Sequence, residues 1–232
     1  MPFKFVVAGA TTLIATGVAF YKRHSNKKKA PIVYLFGKVR VGKDTLLSIL
    51  LKARFEKETK QTTKVHKEAA QKICGEWLKI WNTGGADLQN ETNIEAKREL
   101  DKQIQNGVGV YYTYVFKVDD YFSDKKMAEQ IKDDLESAKT YSRNNKGFEL
   151  VIIGTHRDKA DKYESKIDVL ANELSQKYGG KCKIWDLTRA CEQGKQVQKN
   201  LLNLSRKHKD INDNSNHTRH IKRKQPKTYK CI

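Results

Sequence analysis

The sequence has few cysteines and no arrangement of them that suggests a site. Its four cysteines are scattered through 232 residues, with no pair at metal-ligand spacing: Cys74, Cys182, Cys191 and Cys231. This excludes a disulfide framework and a zinc site, and it indicates a reducing compartment. Cys231 is not a prenylation signal either, because a single residue follows it. No internal repeat is present.

Acidic residues are also scarce relative to basic ones. The chain has 27 Asp and Glu against 46 Lys and Arg, which gives a formal net charge of +19. Such a charge attracts anionic surfaces, either nucleic acid or acidic lipid headgroups. The length suits one ordinary domain with appendages and is enough to bury a core.

Long apolar runs are absent except at the N-terminus. Residues 5–21, "FVVAGATTLIATGVAFY", carry no charge and no proline, and a bilayer is crossed by about 17–25 such residues. Basic residues cluster just after this run and only Lys4 precedes it. We therefore predict a single-pass transmembrane helix at 1–21 with the rest of the chain in the cytoplasm. A cleaved signal peptide and a buried helix are the alternatives, but no cleavage site follows the run.

The remaining chain divides into a basic juxtamembrane linker at 22–31, a folded domain at 32–207 and a basic, disordered tail at 208–232. We predict strands at 32–36, 72–81, 108–118, 148–155 and 181–187, helices from 43 to about 56 and at 124–142, 162–177 and 188–207, and a loop at 56–69. The 72–81 segment is predicted as a hairpin strand that ends in the turn "NTGG". Alternating strands and helices favour an α/β three-layer sandwich with a mainly parallel sheet.

The linker and the tail carry much of the positive charge. If the anchor forms, both lie near the cytoplasmic leaflet, where each Lys or Arg contributes about 1 kcal/mol of attraction to anionic lipid. Nucleic acid is the alternative partner. The tail has no aromatic residue except Tyr229, so the membrane is favoured.

One loop has the spacing of a phosphate-binding loop. The predicted strand 32–36 is followed by G-x-x-x-x-G-K and an apolar helix, and a helix N-terminus with free N–H groups binds phosphate. The loop consists of Gly37, Lys38, Val39, Arg40, Val41, Gly42, Lys43, Asp44 and Thr45. Its backbone would cradle the phosphates and Lys43 would reach the β- and γ-phosphates. The alternative is an ordinary glycine-containing turn.

Two later segments strengthen the first interpretation. "KIWNTGG" (79–85) resembles the third motif of small GTPases, W-D-T-x-G, and "VIIGTHRDKAD" (151–161) resembles the fourth, N/T-K-x-D. Singly, the first could be a turn and the second a helix N-cap. Together with the loop, they stand in the family's order at the ends of predicted strands, where α/β sheets bind ligands. The segment 31–207 thus resembles the P-loop GTPase superfamily, with a Ras-like or Roc-like G domain.

The resemblance implies a ligand set of GTP or GDP with Mg²⁺. By position, Asp158 would read the guanine edge, Thr155 is the motif's first residue, and His156 replaces the lysine that stacks on the base. Gly85 would contact the γ-phosphate. A switch threonine that ligates Mg²⁺ would be Thr63 or Thr62, and Thr59 is the least favoured candidate. The fifth motif would fall at 186–188.

The sequence departs from the family pattern at the expected metal. Asp44 stands where a hydroxyl normally ligates Mg²⁺, and Asn82 stands where an aspartate is expected. We hypothesise that Asp44 ligates Mg²⁺ and Asn82 accepts from a metal-bound water, since oxygen ligands suit Mg²⁺. The alternative is a weakened or inactive site. Ala86 replaces the water-orienting glutamine, and Val39 and Arg40 are bulky, so turnover is expected to be slow.

These observations favour a membrane-anchored GTP-binding protein, with GTP hydrolysis that is slow or dependent on a partner, and with an unidentified protein effector. Two alternatives stay open. One is a non-catalytic, membrane-tethered scaffold on a degenerate G domain. The other is a nucleoside monophosphate-type kinase, since related kinases also carry Asp after the loop lysine. The kinase alternative is less favoured, because the sequence contains no arginine-rich lid segment.

Overall fold

The structure, a computed structural model, describes residues 29–52, 65–84 and 91–188 together with Lys199, and only the backbone for residues 91–93. Several predictions fall outside these ranges and stay predictions. They concern the anchor at 1–21, nearly all of the linker at 22–31, the threonines at 59, 62 and 63, Gly85, Ala86, the last helix at 188–207 and the tail at 208–232.

Strands and helices alternate along the described chain. In order they are β1 (Ile32–Phe36), α1 (Lys43–Lys52), β2 (His66–Lys67), β3 (Gln71–Ile73), β4 (Glu76–Asn82), α2 (Glu91–Gln105), β5 (Val110–Lys117), α3 (Val118–Ser123), α4 (Lys125–Asn144), β6 (Phe148–Thr155), α5 (Glu164–Tyr178) and β7 (Lys181–Ile184). Two short 3-10 turns, Arg157–Lys159 and Asp161–Tyr163, lie between β6 and α5.

The described strands form one mostly parallel sheet. Its order is β2-β4-β1-β5-β6-β7, with β3 paired to β4. β1 lies between β4 and β5 and is parallel to both, and β6 and β7 continue the parallel pairing. β2 and β3 run antiparallel to β4. The C-terminal ends of the parallel strands therefore meet at one edge.

Side-chain alternation along the strands divides the core into two layers. One face of the sheet is aromatic, with Tyr34, Phe36, Tyr112, Tyr114 and Phe116 packed under α2, α4 and α5. The other face is aliphatic, and it packs against α1 through Leu46, Ile49 and Leu50. Because helices cover both faces, β1, β5 and β6 are apolar along nearly their whole length, as central parallel strands are.

Local signals account for the ends of two long helices. Asp124 precedes α4, and its carboxylate accepts hydrogen bonds from the backbone N–H groups of Lys126 and Met127, which satisfies unpaired donors of the first turn. Gly179 ends α5 with φ +70°, a conformation that glycine adopts without steric cost.

The predicted α/β class and mainly parallel sheet are confirmed, and so are the strands β1, β5 and β6 and the helices α4 and α5. Other element predictions were wrong in detail. Segment 72–81 is interrupted at Cys74-Gly75, where both residues have positive φ, so β3 and β4 are the two arms of a hairpin. The predicted loop 56–69 contains β2, and β7 ends at Ile184 rather than at residue 187. Helices α2 and α3 were not predicted.

Within the described ranges, no helix is both long enough and apolar enough to cross a membrane.

Candidate functional site

The phosphate-loop candidate connects the buried end of β1 to the first turn of α1. A Cβ on Gly37 would lie 2.1 Å from the carbonyl oxygen of Val115 in β5, so no side chain fits there. Gly42, with φ +86°, accepts the first helical hydrogen bond from Leu46 N–H at 2.9 Å. Arg40 has φ +60°, a left-handed conformation that costs energy for a residue with a Cβ. Such strain is concentrated at ligand-binding loops.

Lys43 lies at the centre of this loop. Its side chain is 5% exposed, and its ammonium donates to the carbonyl oxygens of Gly37 at 2.8 Å and Lys38 at 2.6 Å. Burial lowers the pKa of Lys43 to about 8, and the neighbouring Asp44 carboxylate opposes that shift. The lysine is thus enclosed by its own loop, and its positive charge is only partly stabilised there. An anionic ligand bound in the loop would stabilise that charge further.

Asp44 and Asn82 are joined across the sheet edge. Asp44 is in the first turn of α1, and Asn82 is the last residue of β4. The Asn82 amide Nδ2 donates to Asp44 Oδ1 at 2.5 Å. Asn82 is 0% exposed, and its Oδ1 has no hydrogen-bond partner among the described residues. Leaving a buried acceptor without a donor is costly, so such an atom in a folded protein indicates a place where water, an ion or a ligand binds.

The segment that follows β4 is held against β1. Both the backbone N–H and the hydroxyl of Thr83 donate to the Leu35 carbonyl oxygen, at 3.0 and 3.1 Å. This double contact fixes the position of Asn82 and Gly84 beside the phosphate loop. Gly85, the predicted γ-phosphate contact, lies outside the described residues.

Thr155, at the end of β6, connects the fourth motif to the phosphate loop. It is fully buried, and its Oγ1 lies 2.8 Å from Val41 O, 3.0 Å from Phe116 O and 2.9 Å from His156 Nδ1. A hydroxyl has one proton to donate. It donates toward the two carbonyls, so the His156 Nδ1–H must be the donor to Oγ1. This arrangement assigns the proton of the neutral ring to Nδ1.

His156 lies against the phosphate loop in a left-handed conformation, with φ +58°. Its Cε1 atom is 3.7 Å from the position that a Cβ on Gly42 would occupy. Burial lowers the pKa of His156 most, with Lys117 and Lys159 contributing, while Asp119 and Asp158 act in the opposite direction. The ring is therefore neutral at physiological pH and presents an uncharged flat surface at the site.

The predicted base-reading residue and the fifth motif lie beside this histidine. Asp158 is exposed, in the 3-10 turn after β6. Asp186 Oδ1 accepts from the Thr188 N–H at 2.9 Å and from its hydroxyl at 2.5 Å, which forms a tight turn. Between them, buried Leu187 lies near the loop, with its Cδ1 3.3 Å from the Cβ position of Gly42. Three strand-end loops thus converge on Gly42.

The remaining predicted phosphate-loop residues differ in their surroundings. Lys38 turns toward α4, where its ammonium contacts the Gln130 carboxamide and lies 3.8 Å from Met127 Sδ. Val39 and Arg40 are exposed, and Thr45 is half-buried inside α1. Thr63, the third predicted metal ligand, lies outside the described residues.

Two features near the site were missed from the sequence. Asp119, in the first turn of α3 and two residues after β5 ends, has a buried Oδ1 with no hydrogen-bond partner in the described part of the chain, and it acts electrostatically on His156. The signal was available, since Asp119 follows the C-terminal end of a buried strand. The α4 contacts to Lys38 had no sequence signal, because the sequence predicts a helix at 124–142 but not which loop it packs against.

The donors available to a cation are few. The described residues contain no cluster of three or more His, Cys, Asp or Glu side chains that could hold a metal ion. The Asp44 carboxylate and the unpartnered Asn82 Oδ1 are oxygen donors, the type that Mg²⁺ prefers. Mg²⁺ usually takes only one or two protein ligands and completes its shell with water and phosphate, so this pair fits such an ion.

Comparison with known proteins identifies a fold but no family. No protein-family model matches the chain, and no curated protein matches it. Among solved structures, a chain of the mammalian SRP receptor is similar, with a TM-score of 0.54 and 15% sequence identity over 75% of this chain and 99% of that chain. At this identity the likeness shows the fold alone, a mixed α/β fold with a mostly parallel sheet.

Proposed function

We propose that this protein binds guanine nucleotide, GTP or GDP, at the C-terminal edge of its sheet. The observation that carries the proposal is the convergence of three loops on Gly42: the phosphate loop itself, the Thr155-His156 pair and Leu187. In α/β folds this edge is where ligands bind. The similarity in fold to a chain of the SRP receptor is consistent with such a role.

Each loop has a separate part in the proposed complex. The backbone N–H groups between Gly37 and Thr45 and the Lys43 ammonium bind the phosphates. The neutral His156 ring provides a flat surface against the base, and the Asp158 carboxylate accepts hydrogen bonds from the guanine edge. Adenine offers no such pair of donors at that edge, so Asp158 selects guanine.

Mg²⁺ would be held by Asp44 with support from Asn82, and it would screen the phosphate charge. The proposed third ligand is Thr63. The proposed protein is a slow switch rather than a fast enzyme. Ala86 offers no group to orient water, and exposed Val39 and Arg40 crowd the position of the γ-phosphate.

We place this domain on the cytoplasmic face of a membrane, held by the apolar segment 5–21 and by basic residues on either side of the domain. An unidentified protein effector is proposed to respond to the bound nucleotide.

A second function, that of a membrane-tethered scaffold without nucleotide, is favoured by one observation. The groups expected to hold ligand bind one another: Lys43 donates to its own loop carbonyls, and Asn82 donates to Asp44. In a degenerate site, such internal hydrogen bonds would satisfy the polar groups without any ligand. A ligand-binding site would exchange these contacts for contacts to phosphate and cation.

Nucleotide binding by the full chain in mild detergent tests the proposal. Fluorescent GDP, GTP and ATP analogues are titrated with and without Mg²⁺ into the wild type and the Asp158→Ala variant. We expect guanine to be preferred over adenine. The Asp158→Ala variant should lose this preference by at least about a hundredfold, because the donors on the guanine edge are left without an acceptor.

Asp133→Ala is the matched control, since Asp133 is an exposed aspartate on α4 outside the site. It should bind as the wild type does. A preference for ATP would support the kinase alternative, and absence of binding to all three nucleotides would support the scaffold.

A further inference from the structure

We propose that Asp44 and Asn82 act as one unit in which the carboxylate lies on the helix and its neutral partner on the strand, the reverse of the arrangement that the sequence resemblance implies. Asp44, at the start of α1, supplies the charged oxygen for the cation, and Asn82, at the end of β4, holds that carboxylate in place. The inference rests on the proposed nucleotide site and specifies how that site binds its cation. Its central consequence is that moving the carboxylate to the strand, with a hydroxyl residue at position 44 and aspartate at position 82, should preserve the site.

The contact between the two side chains carries the first step. Asn82 Nδ2 donates to Asp44 Oδ1 at 2.5 Å. An amide N–H cannot coordinate a cation, so its function in this contact is to orient the carboxylate. Asn82 is itself immobilised, because it is fully buried and precedes Thr83, which bonds twice to Leu35 O. Rigid support of a ligand is what gives a metal site its geometry.

The second step concerns the other end of the Asn82 amide. Its Oδ1 is buried without a hydrogen-bond partner in the described part of the chain. A buried acceptor of this kind requires a donor. A water from the hydration shell of a cation at Asp44 would supply one, and Mg²⁺ retains several such waters. The amide nitrogen of Asn82 therefore holds the Asp44 carboxylate, and the amide oxygen would accept from a water bound to the cation.

The third step is the charge of the site. The Asp44 carboxylate follows Lys43 in the first turn of α1. One carboxylate is present at the cation position, contributed by the helix instead of the strand. The total charge around the bound polyphosphate therefore equals that of a site with a hydroxyl at 44 and a carboxylate at 82. Only the location of the charge differs.

Four forms of the full chain in detergent test this exchange: wild type, Asp44→Thr, Asn82→Asp and the double variant. The affinity for fluorescent GDP is measured across a Mg²⁺ titration and in EDTA. Asp44→Thr should weaken the Mg²⁺ dependence at least about tenfold, as loss of a metal ligand or its support typically does. The double variant should recover the wild-type Mg²⁺ dependence to within about threefold, because it restores one carboxylate and one neutral partner.

A second readout does not depend on nucleotide. Asn82→Asp places two carboxylates in contact, and like charges at this distance disfavour ionisation of both. Its melting temperature, followed by circular dichroism, should fall in EDTA and recover when Mg²⁺ is added. In the isosteric Asp44→Asn variant, Mg²⁺ should no longer raise the melting temperature, although the side chain keeps its shape. This variant provides the test if Asn82→Asp does not fold. Asp133→Asn, on the exposed face of α4, is the control that should change nothing.

The outcomes separate this inference from the proposed function. If no form binds nucleotide in any condition, the proposed function fails. If the wild type binds GDP but Asp44→Thr and Asp44→Asn keep its Mg²⁺ dependence, or if the double variant is as impaired as Asp44→Thr, the exchange is wrong while nucleotide binding stands.

Discussion

Single residues at the sheet edge where the parallel strands end carry most of the chemistry proposed for this protein. Lys43 is the clearest case, because it is almost completely buried and its ammonium donates to the carbonyl oxygens of Gly37 and Lys38. Desolvation lowers its pKa to about 8, well below the ordinary value of 10.5. A polyphosphate would stabilise the ammonium and raise the pKa again. Binding is therefore expected to be coupled to uptake of a proton.

The prediction for Lys43 is a proton uptake of about half a proton per nucleotide bound at pH 8, since the free amine is half-charged at its pKa and the bound amine fully charged. Isothermal titration calorimetry of GDP binding in two buffers with different ionisation enthalpies measures it. The complex holds more protons than the free protein above this pKa, so affinity should fall as pH rises through 8. Binding at pH 8 without proton uptake would contradict the assignment.

Two buried tyrosines on the aromatic face of the sheet differ in whether their hydroxyl groups are hydrogen-bonded to a neighbouring element. The Tyr114 hydroxyl, on β5, donates to Asp134 Oδ2 of α4 at 2.9 Å. The Tyr34 hydroxyl, on β1, is buried with no hydrogen-bond partner among the described residues. Burial raises the pKa of both. A strand-to-helix link and an unsatisfied polar atom thus lie on neighbouring strands.

We predict opposite effects of the same substitution at these two positions. Tyr114→Phe should lower the free energy of unfolding by about 1.5–3 kcal/mol, the range for a hydrogen bond to a charged group. Tyr34→Phe should be neutral or stabilising, because it removes a buried hydroxyl that has no partner. Urea unfolding followed by circular dichroism measures both.

The two variants control for each other, since each removes one oxygen from a buried tyrosine in the same core. Equal losses at both positions would contradict the distinction. They would indicate that Tyr34 has a donor or acceptor partner in a part of the chain that the structure does not describe.

At the scale of the whole molecule, most of the net positive charge lies outside the described part of the fold. The described residues carry 26 Lys and Arg against 21 Asp and Glu, a net charge of +5, so most of the net charge of +19 belongs to segments outside them. Those segments include the basic residues that follow the apolar run at 5–21 and the C-terminal 30 or so residues. The folded domain itself is not a strongly basic surface.

The corresponding prediction concerns membrane attachment of the full chain in cells. An apolar helix resists extraction by alkaline carbonate, whereas binding through basic patches alone is released by about 1 M salt, at which the Debye length is about 3 Å. We expect the protein to stay in the membrane pellet in both treatments.

Substitution of Thr12 and Ile14 by lysine is the matching test, because two charges within the apolar run prevent spanning. This variant should be released by salt. Release of the wild type by salt would show that basic residues alone hold the chain to membranes.

The outline of the fold could be read from the sequence because central parallel strands are nearly continuous apolar runs. β1, β5 and β6 were predicted on that basis, and Gly37 to Lys43 followed from spacing and from the strand before them. α2 was missed because the segment 91–105 has few apolar residues for a helix face, and α3 because it continues directly from β5.

By itself, then, the amino-acid sequence determined the α/β class, the three strand-end motifs and the candidate residues, since these depend on local pattern and spacing. Only the tertiary structure decided which of them meet. Asp44 and Asn82 are 38 positions apart, and Thr155 and Val41 are 114 apart, yet each pair is hydrogen-bonded. Strand order brings β4 and β6 to the edge where β1 ends, and neither strand order nor burial of a lone amide oxygen is encoded in any short stretch of sequence.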